Sequence, residues 1–310
     1  MRCLVTGGAG FIGSNLVDAL LARGDQVTVL DDLSTGRREN LEAALAAGAA
    51  LVELDVRDAA AVAEAAGAAR PQAIFHLAAQ IDVRKSVADP AFDAAVNVGG
   101  TANVLEAART AGAERFVFVS TGGAIYGEGE GKALPLEEGA AVEPLSPYGQ
   151  SKFAAEGYLA LYERLHSLSS VALRLGNVYG PRQDPLGEAG VVAIFCGKLR
   201  GGGRPTVFGD GRQTRDYIYV GDVVAAALAA TGGPASGPIN IGTGIETDVL
   251  ELVRLLGELD GAEGFAPEFA PPRAGEVQRI AIDPGRAGRE LGWSAKVGLE
   301  EGLRLTLDSL

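Results

Sequence analysis

Thr6-Gly7-Gly8-Ala9-Gly10-Phe11-Ile12-Gly13 is the stretch that decides the fold of this chain. It follows a short apolar run and precedes an apolar-periodic segment, so it predicts a strand, a glycine turn and a helix. In such a turn, Gly7 allows the tight bend, Gly10 lets a pyrophosphate approach the backbone, and Gly13 lets the helix pack against the strand. The helix N-terminus supplies free N–H groups and a positive dipole end. The stretch therefore predicts a dinucleotide site, with G-x-x-G-x-x-G spacing.

Short apolar runs and longer periodic segments alternate along the first 175 residues. Strand-like runs occupy residues 2–6, 26–30, 50–54, 73–79, 115–120 and 170–175, and helix-like segments occupy 14–23, 59–69, 90–111 and 148–166. Because strands separated by helices pair in parallel through right-handed crossovers, we expect an α/β fold with a doubly wound parallel sheet of the Rossmann type.

Glycine and proline become more frequent after residue 175, and the clean alternation fails there. This change places a boundary near residue 176. We expect a dinucleotide-binding domain at 1–175 and a smaller, mixed C-terminal region at 176–310, whose strands could interleave with the first domain.

Two aspartates, Asp31-Asp32, end the second strand-like run, about 20 residues past the glycines. A carboxylate at this place accepts hydrogen bonds from the adenosine ribose and repels a 2′-phosphate, which favours NAD over NADP. Arg37 and Arg38 lie nearby and could accommodate that phosphate, so the alternative stays open.

Ligands of such sheets gather at the carboxyl ends of the strands. Asp55-Val56 follows the third run and could cap the adenine, and Leu77-Ala78-Ala79 offers small residues for close approach of a cofactor. Ser120-Thr121 ends the fifth run and brings two hydroxyls to the same edge. His76 is interpreted as a packed histidine.

Tyr148 and Lys152 lie four residues apart in Tyr148-Gly149-Gln150-Ser151-Lys152. With Ser146 as N-cap and Pro147 as the first helical position, the two side chains share one helical face. A nearby cation stabilises phenolate, so the pair can carry proton chemistry. Taken alone, the spacing also fits the wet side of an amphipathic helix.

Composition limits the other function classes. The chain of 310 residues carries a net charge of −13, which argues against binding to nucleic-acid phosphates but not against a small anionic ligand. Cys3 and Cys196 lie in apolar contexts and suggest buried, reduced thiols, with no metal-ligand spacing. The sequence begins on a strand pattern without a signal peptide or a membrane-length apolar run, so we expect a cytoplasmic protein.

The glycine turn, Asp31, Ser120-Thr121 and the Tyr148/Lys152 pair together resemble the extended short-chain dehydrogenase/reductases. The chain is more narrowly similar, over essentially its whole length, to NAD-dependent nucleotide-sugar epimerases of the UDP-glucose (UDP-galactose) 4-epimerase kind. The motifs of this branch are Ser146-Pro147-Tyr148, Asn177-Val178-Tyr179-Gly180-Pro181-Arg182 and Arg215-Asp216-Tyr217.

The resemblance implies roles for the candidate residues. Tyr148 would remove the proton of the sugar 4-hydroxyl, Lys152 would hold the nicotinamide ribose and lower the pKa of the tyrosine, and Thr121 or Ser120 would bond the same sugar oxygen. The implied contacts to NAD are Gly7, Gly10, Phe11, Ile12, Gly13, Asp31, Asp32, Asp55, Val56, Leu77, Ala78, Ala79, Asn97, Ser120, Tyr148 and Lys152. The implied contacts to the UDP-sugar are Thr121, Tyr126, Asn177, Arg182, Val191, Arg215 and Arg273.

The resemblance further implies oxidation to a transient 4-keto sugar, rotation of that sugar and return of the hydride to its other face. Relatives often form homodimers through two long helices of each subunit, here 90–111 and 148–166.

The chain departs from its relatives at two positions. Gly122 stands where many carry serine, which leaves Thr121 as the expected hydroxyl partner and Ser120 as the alternative. Ile280 stands where relatives often limit the N-acyl group of the sugar, so N-acetylated substrates stay open.

Relatives that divert the ketone place acidic residues just after the hydroxyl. Gly122-Gly123-Ala124 contains no acid, and elimination needs an acid or base near the neighbouring carbons, so the sequence favours simple epimerisation. UDP-glucuronate and UDP-N-acetylhexosamine 4-epimerases are alternatives. A different class, an NAD(P)-dependent oxidoreductase with net cofactor turnover, also stays open, as does a non-catalytic nucleotide sensor.

Overall fold

The structure is a computed structural model that describes residues 1–185, 190–262, 264–273 and 276–310. A short 3₁₀ helix covers Arg38–Leu41, and a π-helical segment covers Ala95–Gly100. The α-helices are α1 (Phe11–Ala22), α2 (Glu42–Ala46), α3 (Ala59–Ala69), α4 (Val83–Ala88), α5 (Pro90–Ala94), α6 (Thr101–Ala111), α7 (Gly122–Ile125), α8 (Pro147–His166), α9 (Val191–Arg200), α10 (Val220–Ala229), α11 (Val249–Asp260), α12 (Gly285–Leu291) and α13 (Leu299–Asp308).

The described strands form one large sheet and three small ones. The strands are β1 (Arg2–Thr6), β2 (Gln26–Asp31), β3 (Ala50–Glu53), β4 (Ala73–His76), β5 (Arg115–Thr121), β6 (Ser169–Leu175), β7 (Asn177–Tyr179), β8 (Thr206–Phe208), β9 (Thr214–Arg215), β10 (Tyr217–Tyr219), β11 (Gly237–Ile241), β12 (Thr247–Asp248) and β13 (Glu268–Ala270). The large sheet has seven strands in the order β3-β2-β1-β4-β5-β6-β11. All of its pairings are parallel, which confirms the predicted fold class.

The strand order reverses between β1 and β4, and this topological switch point fixes the place where a ligand can enter. Neighbouring residues of the central strands point to opposite sides of the sheet. Val5 and Val117 pack in one apolar core, to which α1 and α10 contribute. Leu4 and Phe116 pack in the other, to which α3, α6 and α8 contribute. The result is a sheet covered by helices on both faces.

Residues on both sides of position 176 build this sheet. Strand β11 pairs with β6 in parallel, with Ile239 opposite Leu173. A separate apolar core joins α9, α11 and α13, with Phe195 and Leu252 among its buried members. The C-terminal part of the chain therefore adds an edge strand to the first domain and also forms a smaller body of its own.

The N-terminus of α8 follows the predicted capping pattern. Ser146 is the N-cap, and its hydroxyl accepts a hydrogen bond from the Gly149 N–H at 3.2 Å. Pro147 is the first helical residue, where its missing N–H costs nothing.

The predicted helix at 90–111 is found as α5, the π-helical segment and α6 in succession. In the described ranges, no helix combines the length and hydropathy needed to cross a bilayer.

The glycine turn packs with no room for side chains at two of its positions. Gly7 has a φ of +69°, and a Cβ there would lie 2.6 Å from the Ala78 nitrogen. A Cβ at Gly13 would overlap the carbonyl oxygen of Gly7. These contacts bring α1, β1 and the end of β4 together at the switch point.

Gly13→Ala is expected to lower the free energy of unfolding by about 1–3 kcal/mol, because the added methyl group overpacks the turn. Gly67→Ala is the matched control, since Gly67 lies inside α3 and an added Cβ would meet nothing within 4 Å. The control should gain about 0.5–1 kcal/mol from the better helix propensity of alanine. Urea unfolding of the three proteins tests this, and equal midpoints would contradict the close contact.

Candidate active site

The N-terminus of α1 is prepared for an anion. Gly10 is its N-cap, and within the described residues no side chain caps this end and no acidic residue lies in its first turn. A Cβ at Gly10 would meet only the Gly7 carbonyl, at 3.3 Å, so the outer side of the turn is open. Free N–H groups and the helix dipole suit a pyrophosphate there. Gly7, Gly10, Phe11, Ile12 and Gly13 thus fit the dinucleotide that the sequence predicts.

Asp31 lies at the end of β2 and supports the glycine turn. Its carboxylate accepts hydrogen bonds from the Ala9 and Leu33 N–H groups, both at 2.9 Å. Burial raises the pKa of this carboxyl, and the two backbone hydrogen bonds work against that rise. A carboxylate has about four acceptor sites, so two can still receive ribose hydroxyls. Asp32 accepts from the Ser34 hydroxyl at 2.6 Å.

The two arginines that could receive a 2′-phosphate already have carboxylate partners. Arg37 donates to Asp184 at 3.2 Å, and Arg38 donates to Glu53 at 3.0 Å. The arrangement of this corner therefore agrees better with NAD than with NADP.

Asp55, which the sequence places near the adenine, is held by Arg57. The Arg57 backbone N–H and Nε both donate to its carboxylate at 2.8 Å, and they hold the pKa of Asp55 below its usual range. Val56 is buried, and its carbonyl accepts a hydrogen bond from Asn103 at 2.9 Å. The Arg57 guanidinium lies 5.1 Å from the centre of the Phe92 ring.

His76 is a structural residue, as interpreted from the sequence. It is fully buried, and burial lowers its pKa to about 3. Its Nδ1 lies 2.6 Å from the Thr6 hydroxyl and its Nε2 lies 3.0 Å from the Thr101 hydroxyl. Thr6 also accepts hydrogen bonds from the Leu77 and Ala78 N–H groups, at 3.2 and 3.1 Å. His76 therefore fixes the start of the loop that holds Leu77, Ala78 and Ala79 at the switch point.

Asn97 fixes the rest of that loop. Its side chain accepts from the Gln80 N–H and donates to the Gln80 carbonyl, both at 2.9 Å. It also donates to the buried carboxylate of Asp93 at 3.0 Å. Asn97 thus shapes the wall of the cofactor cleft through Gln80.

Thr121, not Ser120, lies beside Tyr148. Burial raises the pKa of Tyr148 to about 12, and the charge of Asp93 adds to the rise, while a hydrogen bond with the Thr121 hydroxyl works against it. The Ser120 hydroxyl points elsewhere and donates to Glu156 at 2.6 Å. Thr121 therefore lies beside Tyr148, and its role as the hydroxyl partner at a sugar oxygen stays a prediction.

Lys152 lies deep in the protein at the same edge. It is only 3% exposed, its Nζ donates to the Val119 carbonyl at 2.9 Å, and it lies 4.7 Å from the centre of the Phe118 ring. Burial lowers the pKa of Lys152 to about 8, and the charges of Asp93 and Glu156 work against this shift.

Gly122 has a packing reason. A Cβ there would lie 2.6 Å from Cδ1 of Ile282, so a serine would require the Ile282 side chain to move. A Cβ at Gly123 would lie 3.2 Å from the side-chain oxygen of Asn177, so Asn177 lies beside the turn that follows β5. Ile280 is buried and packs in a small apolar cluster with Ile282, so it does not line an open cleft.

Tyr126 requires a correction. The sequence placed it among the substrate contacts, but it is fully buried. Its hydroxyl donates to Asn240 and accepts from Arg174, both at 2.8 Å, and the Arg174 guanidinium lies 5.0 Å from the centre of its ring. Its polar atom is satisfied inside the protein, so it cannot contact a substrate.

The three arginines expected at the diphosphate have different surroundings. Arg215 is half-buried beside Glu276, with Nη2 to Oε1 at 3.6 Å. Arg273 is exposed and lies 3.8 Å from the centre of the Phe208 ring. Arg182 instead donates to Asp18 of α1 at 2.6 Å, so its charge ties its loop to α1.

Two buried polar atoms in the described residues have no hydrogen-bond partner, the Tyr217 hydroxyl and Oε1 of Gln183. Unpaired buried polar groups are costly, and a bound ligand can satisfy them. Tyr217 follows Arg215 by two residues, and the charges of Arg215 and Glu276 act on its hydroxyl. Val191 begins α9, beside Gly190, where a Cβ would touch the Gln183 side chain.

Sequence reasoning missed several residues of this site. Asp93, Glu156 and Arg174 are buried charged groups that only the fold brings to the catalytic strand. A signal for Glu156 existed, because it follows Lys152 by four residues and so shares its helical face. Ile282 gave no signal, since it approaches Gly122 from a distant part of the chain.

The low pKa of Lys152 predicts a pH effect on stability. Between about 8 and the ordinary value of 10.5, the unfolded chain binds more protons than the native protein, so the free energy of unfolding rises with pH in that window. The rise from one group is at most about 1.4 kcal/mol per pH unit. Lys152→Met should lack this contribution. Urea unfolding at pH 7.5, 8.5 and 9.5 measures the difference in free energy of unfolding between the wild type and Lys152→Met. The contributions of the other titrating groups cancel in this difference. The same pH dependence in both proteins would contradict the lowered pKa of Lys152.

Comparison with known proteins shows the family. A sequence profile of the NAD dependent epimerase/dehydratase family matches residues 3–242. A UDP-glucose 4-epimerase of Mycolicibacterium smegmatis is 50% identical over 99% of this chain and 98% of its own. The crystal structure of a UDP-glucose 4-epimerase from Thermotoga maritima with UDP-glucose has a TM-score of 0.96 and 46% identity over 100% of this chain and 98% of that one. A Thermus thermophilus UDP-glucose 4-epimerase in complex with NAD has a TM-score of 0.92 and 47% identity over the same shares. The glycine turn, the seven-stranded sheet and these whole-length similarities place the chain in the NAD dependent epimerase/dehydratase family.

Proposed function

We propose that the protein is a UDP-glucose 4-epimerase, which interconverts UDP-glucose and UDP-galactose. The observation that carries this proposal is the pairing of Tyr148 with Thr121 at the end of β5, followed by Gly122-Gly123-Ala124 without an acidic residue. This arrangement can move a proton at one sugar hydroxyl but offers no neighbouring acid for elimination. The relatives named UDP-glucose 4-epimerase, similar over the whole chain, support the same reaction.

The proposed cofactor is NAD, held at the switch point. The N–H groups at the start of α1 would bind its pyrophosphate, Asp31 its adenosine ribose, and Lys152 its nicotinamide ribose. When bound, NAD supplies the acceptor for the C4 hydride and the donor for its return. The chain's own residues have the remaining tasks of moving the proton and holding the nucleotide.

Tyr148 is the proposed proton acceptor for the sugar 4-hydroxyl, and Thr121 the second hydroxyl on the same oxygen. With a pKa raised to about 12, the phenol is protonated at neutral pH in the surroundings that the chain itself provides. Positive charge is needed beside it before it can act as a base at neutral pH. On α8, the cationic side chain nearest to Tyr148 in sequence is Lys152, one helical turn away.

Nucleotide anchoring is assigned to the C-terminal region. Arg215 and Arg273 would bind the diphosphate, since guanidinium groups pair bidentately with phosphate oxygens. Asn177, Val191 and the unpaired Tyr217 hydroxyl would complete the contacts. Binding energy placed on the unreactive nucleotide holds the ketone intermediate while its sugar turns over.

Tyr148→Phe should reduce the interconversion of UDP-galactose and UDP-glucose by at least about a thousandfold, because the general base is lost. Binding of the UDP-sugar should be unchanged, as measured by calorimetric titration. The wild type should convert either sugar to the equilibrium mixture without net NADH, as followed by chromatography and absorbance at about 340 nm.

Two results would contradict the proposal. Near-wild-type turnover by Tyr148→Phe would remove the assigned base. Steady NADH production by the wild type would indicate an oxidoreductase. Ile280 does not line the cleft. Substrate preference is therefore measured directly, by parallel incubation with UDP-glucuronate and UDP-N-acetylglucosamine.

We also propose a homodimer formed through α8 and the helices beside it. The outward face of α8 carries Phe153, Tyr158, Leu161 and Leu165, of which Leu165 is 65% exposed. Their spacing places them on one side of the helix. Val87 of the neighbouring α4 is 63% exposed and extends this apolar surface, which is typical of an interface between subunits.

Leu161→Glu should convert the dimer to a monomer, because the charge would have to be buried in the interface. Leu305→Glu is the matched control, since Leu305 lies on α13 and is 39% exposed, against 37% for Leu161. Light scattering at working concentration measures both. A monomeric wild type, or equal dissociation of the two variants, would refute this interface.

The proposed location is the cytoplasm, where galactose metabolism would use the reaction. Cys3 and Cys196 are both buried and free, which suits a reducing compartment.

A further inference from the structure

A row of buried polar side chains crosses three neighbouring strands behind the proposed site. Ser120 of β5 is paired in register with Arg174 of β6, and Arg174 with Asn240 of β11. Each is at most 3% exposed. Charged and polar groups are seldom buried this deeply without a role, and the proposed proton and hydride steps use none of them.

Glu156 of α8 binds two members of this row, Ser120 and Arg174. Its Oε1 accepts from the Ser120 hydroxyl at 2.6 Å and from Nε of Arg174 at 3.0 Å, and its Oε2 accepts from Nη2 of Arg174 at 2.6 Å. The remaining guanidinium nitrogen donates to Tyr126 at 2.8 Å. Both carboxylate oxygens and the arginine fork are therefore satisfied, which a buried ion pair requires.

Successive turns of α8 thereby hold the end of β5 at two adjacent residues. Lys152 binds the Val119 carbonyl, and Glu156, one turn later, binds the Ser120 side chain. Thr121 is the next residue of the strand, and Tyr148 lies one turn before Lys152 on the helix. The Glu156–Ser120 hydrogen bond thus joins α8 to β5 two helical turns from Tyr148 and one residue before Thr121.

We propose that Glu156, held by Arg174, is a positioning residue for the epimerase reaction, which keeps Thr121 against Tyr148 through Ser120 and keeps Lys152 positively charged. The inference rests on the proposed function of Tyr148, Thr121 and Lys152.

The charges around Lys152 support the second part. Asp93 of α5 and Glu156 of α8 favour the ammonium form of Lys152. Burial disfavours that form, and the neutral His76 of β4 adds no compensating charge. The Asp93 carboxylate also accepts a hydrogen bond from the Ser151 hydroxyl at 2.6 Å. Removing the charge of Glu156 leaves Asp93 as the remaining carboxylate that acts on Lys152, so the ammonium should lose its proton at lower pH.

Ser120→Ala tests the positioning role, since it removes the hydrogen bond to Glu156 but keeps the buried ion pair. We expect kcat to fall about tenfold with KM for UDP-galactose unchanged, as a small displacement of reacting groups is costly. Ser169→Ala is the control, because it removes a 2.6 Å hydrogen bond from Arg115 at the opposite end of the same strands. An unchanged kcat in Ser120→Ala, or an equal loss in Ser169→Ala, would overturn the proposal.

Glu156→Gln tests the electrostatic role. The alkaline limb of kcat, and of NAD affinity measured by calorimetry, should move down by about one pH unit. An unmoved limb in both would overturn this role. If Glu156→Gln does not fold, Ser120→Ala still decides the positioning role. If the wild type binds NAD but does not epimerise UDP-galactose, the proposed function fails, whereas the pH dependence of NAD affinity still decides whether Glu156 acts on Lys152.

Discussion

Close contact between the glycine turn and the end of β4 is the constraint on which the site depends. Gly7 adopts a left-handed conformation against the Ala78 backbone, and Gly13 lies on the Gly7 carbonyl, so β1, α1 and β4 converge within a few atoms of one another. This convergence leaves the N–H groups at the start of α1 facing the gap where the strand order reverses. Thr6 and His76 then hold the loop after β4 from below. The ends of β1, β4 and β5 border this gap, and Lys152 of α8 binds the Val119 carbonyl of β5 at the same edge of the sheet.

Desolvation is the second determinant of the chemistry. Burial works against the charged forms of both catalytic candidates, so it favours a protonated Tyr148 and a less basic Lys152. The side chains of this site therefore include no strong base on their own. A positive charge placed close to the Tyr148 phenol would lower its pKa and favour the phenolate. Two buried carboxylates, Asp93 and Glu156, oppose the loss of the lysine charge. The structure balances burial against fixed negative charge around one ammonium group, a pattern typical of groups whose pKa values are tuned for catalysis.

The sequence predicted the parts of the molecule that local rules govern. The parallel sheet followed from the alternation of elements, and the capped start of α8 followed from Ser146-Pro147. The failures involve contacts between distant segments. The resemblance implied Tyr126 as a substrate contact, yet it is buried and its hydroxyl is bonded to Arg174 of β6 and Asn240 of β11. The π-helical segment also escaped prediction, since nothing local distinguishes it from the α-helical turns around it.

The position of Gly122 shows how packing and reaction type are connected. Ile282 fills the space that a side chain at 122 would need, so a serine or an acid there would require the Ile282 side chain to move. Asp216 holds the segment that carries Ile282 in place by accepting from the Ile282 N–H at 3.2 Å and from the Thr243 hydroxyl at 2.6 Å. Asp216 lies between Arg215 and Tyr217, the residues assigned to the nucleotide. One buried carboxylate thus connects the segment that carries Arg215 and Tyr217 to the packing around Gly122, the first residue of the acid-free turn.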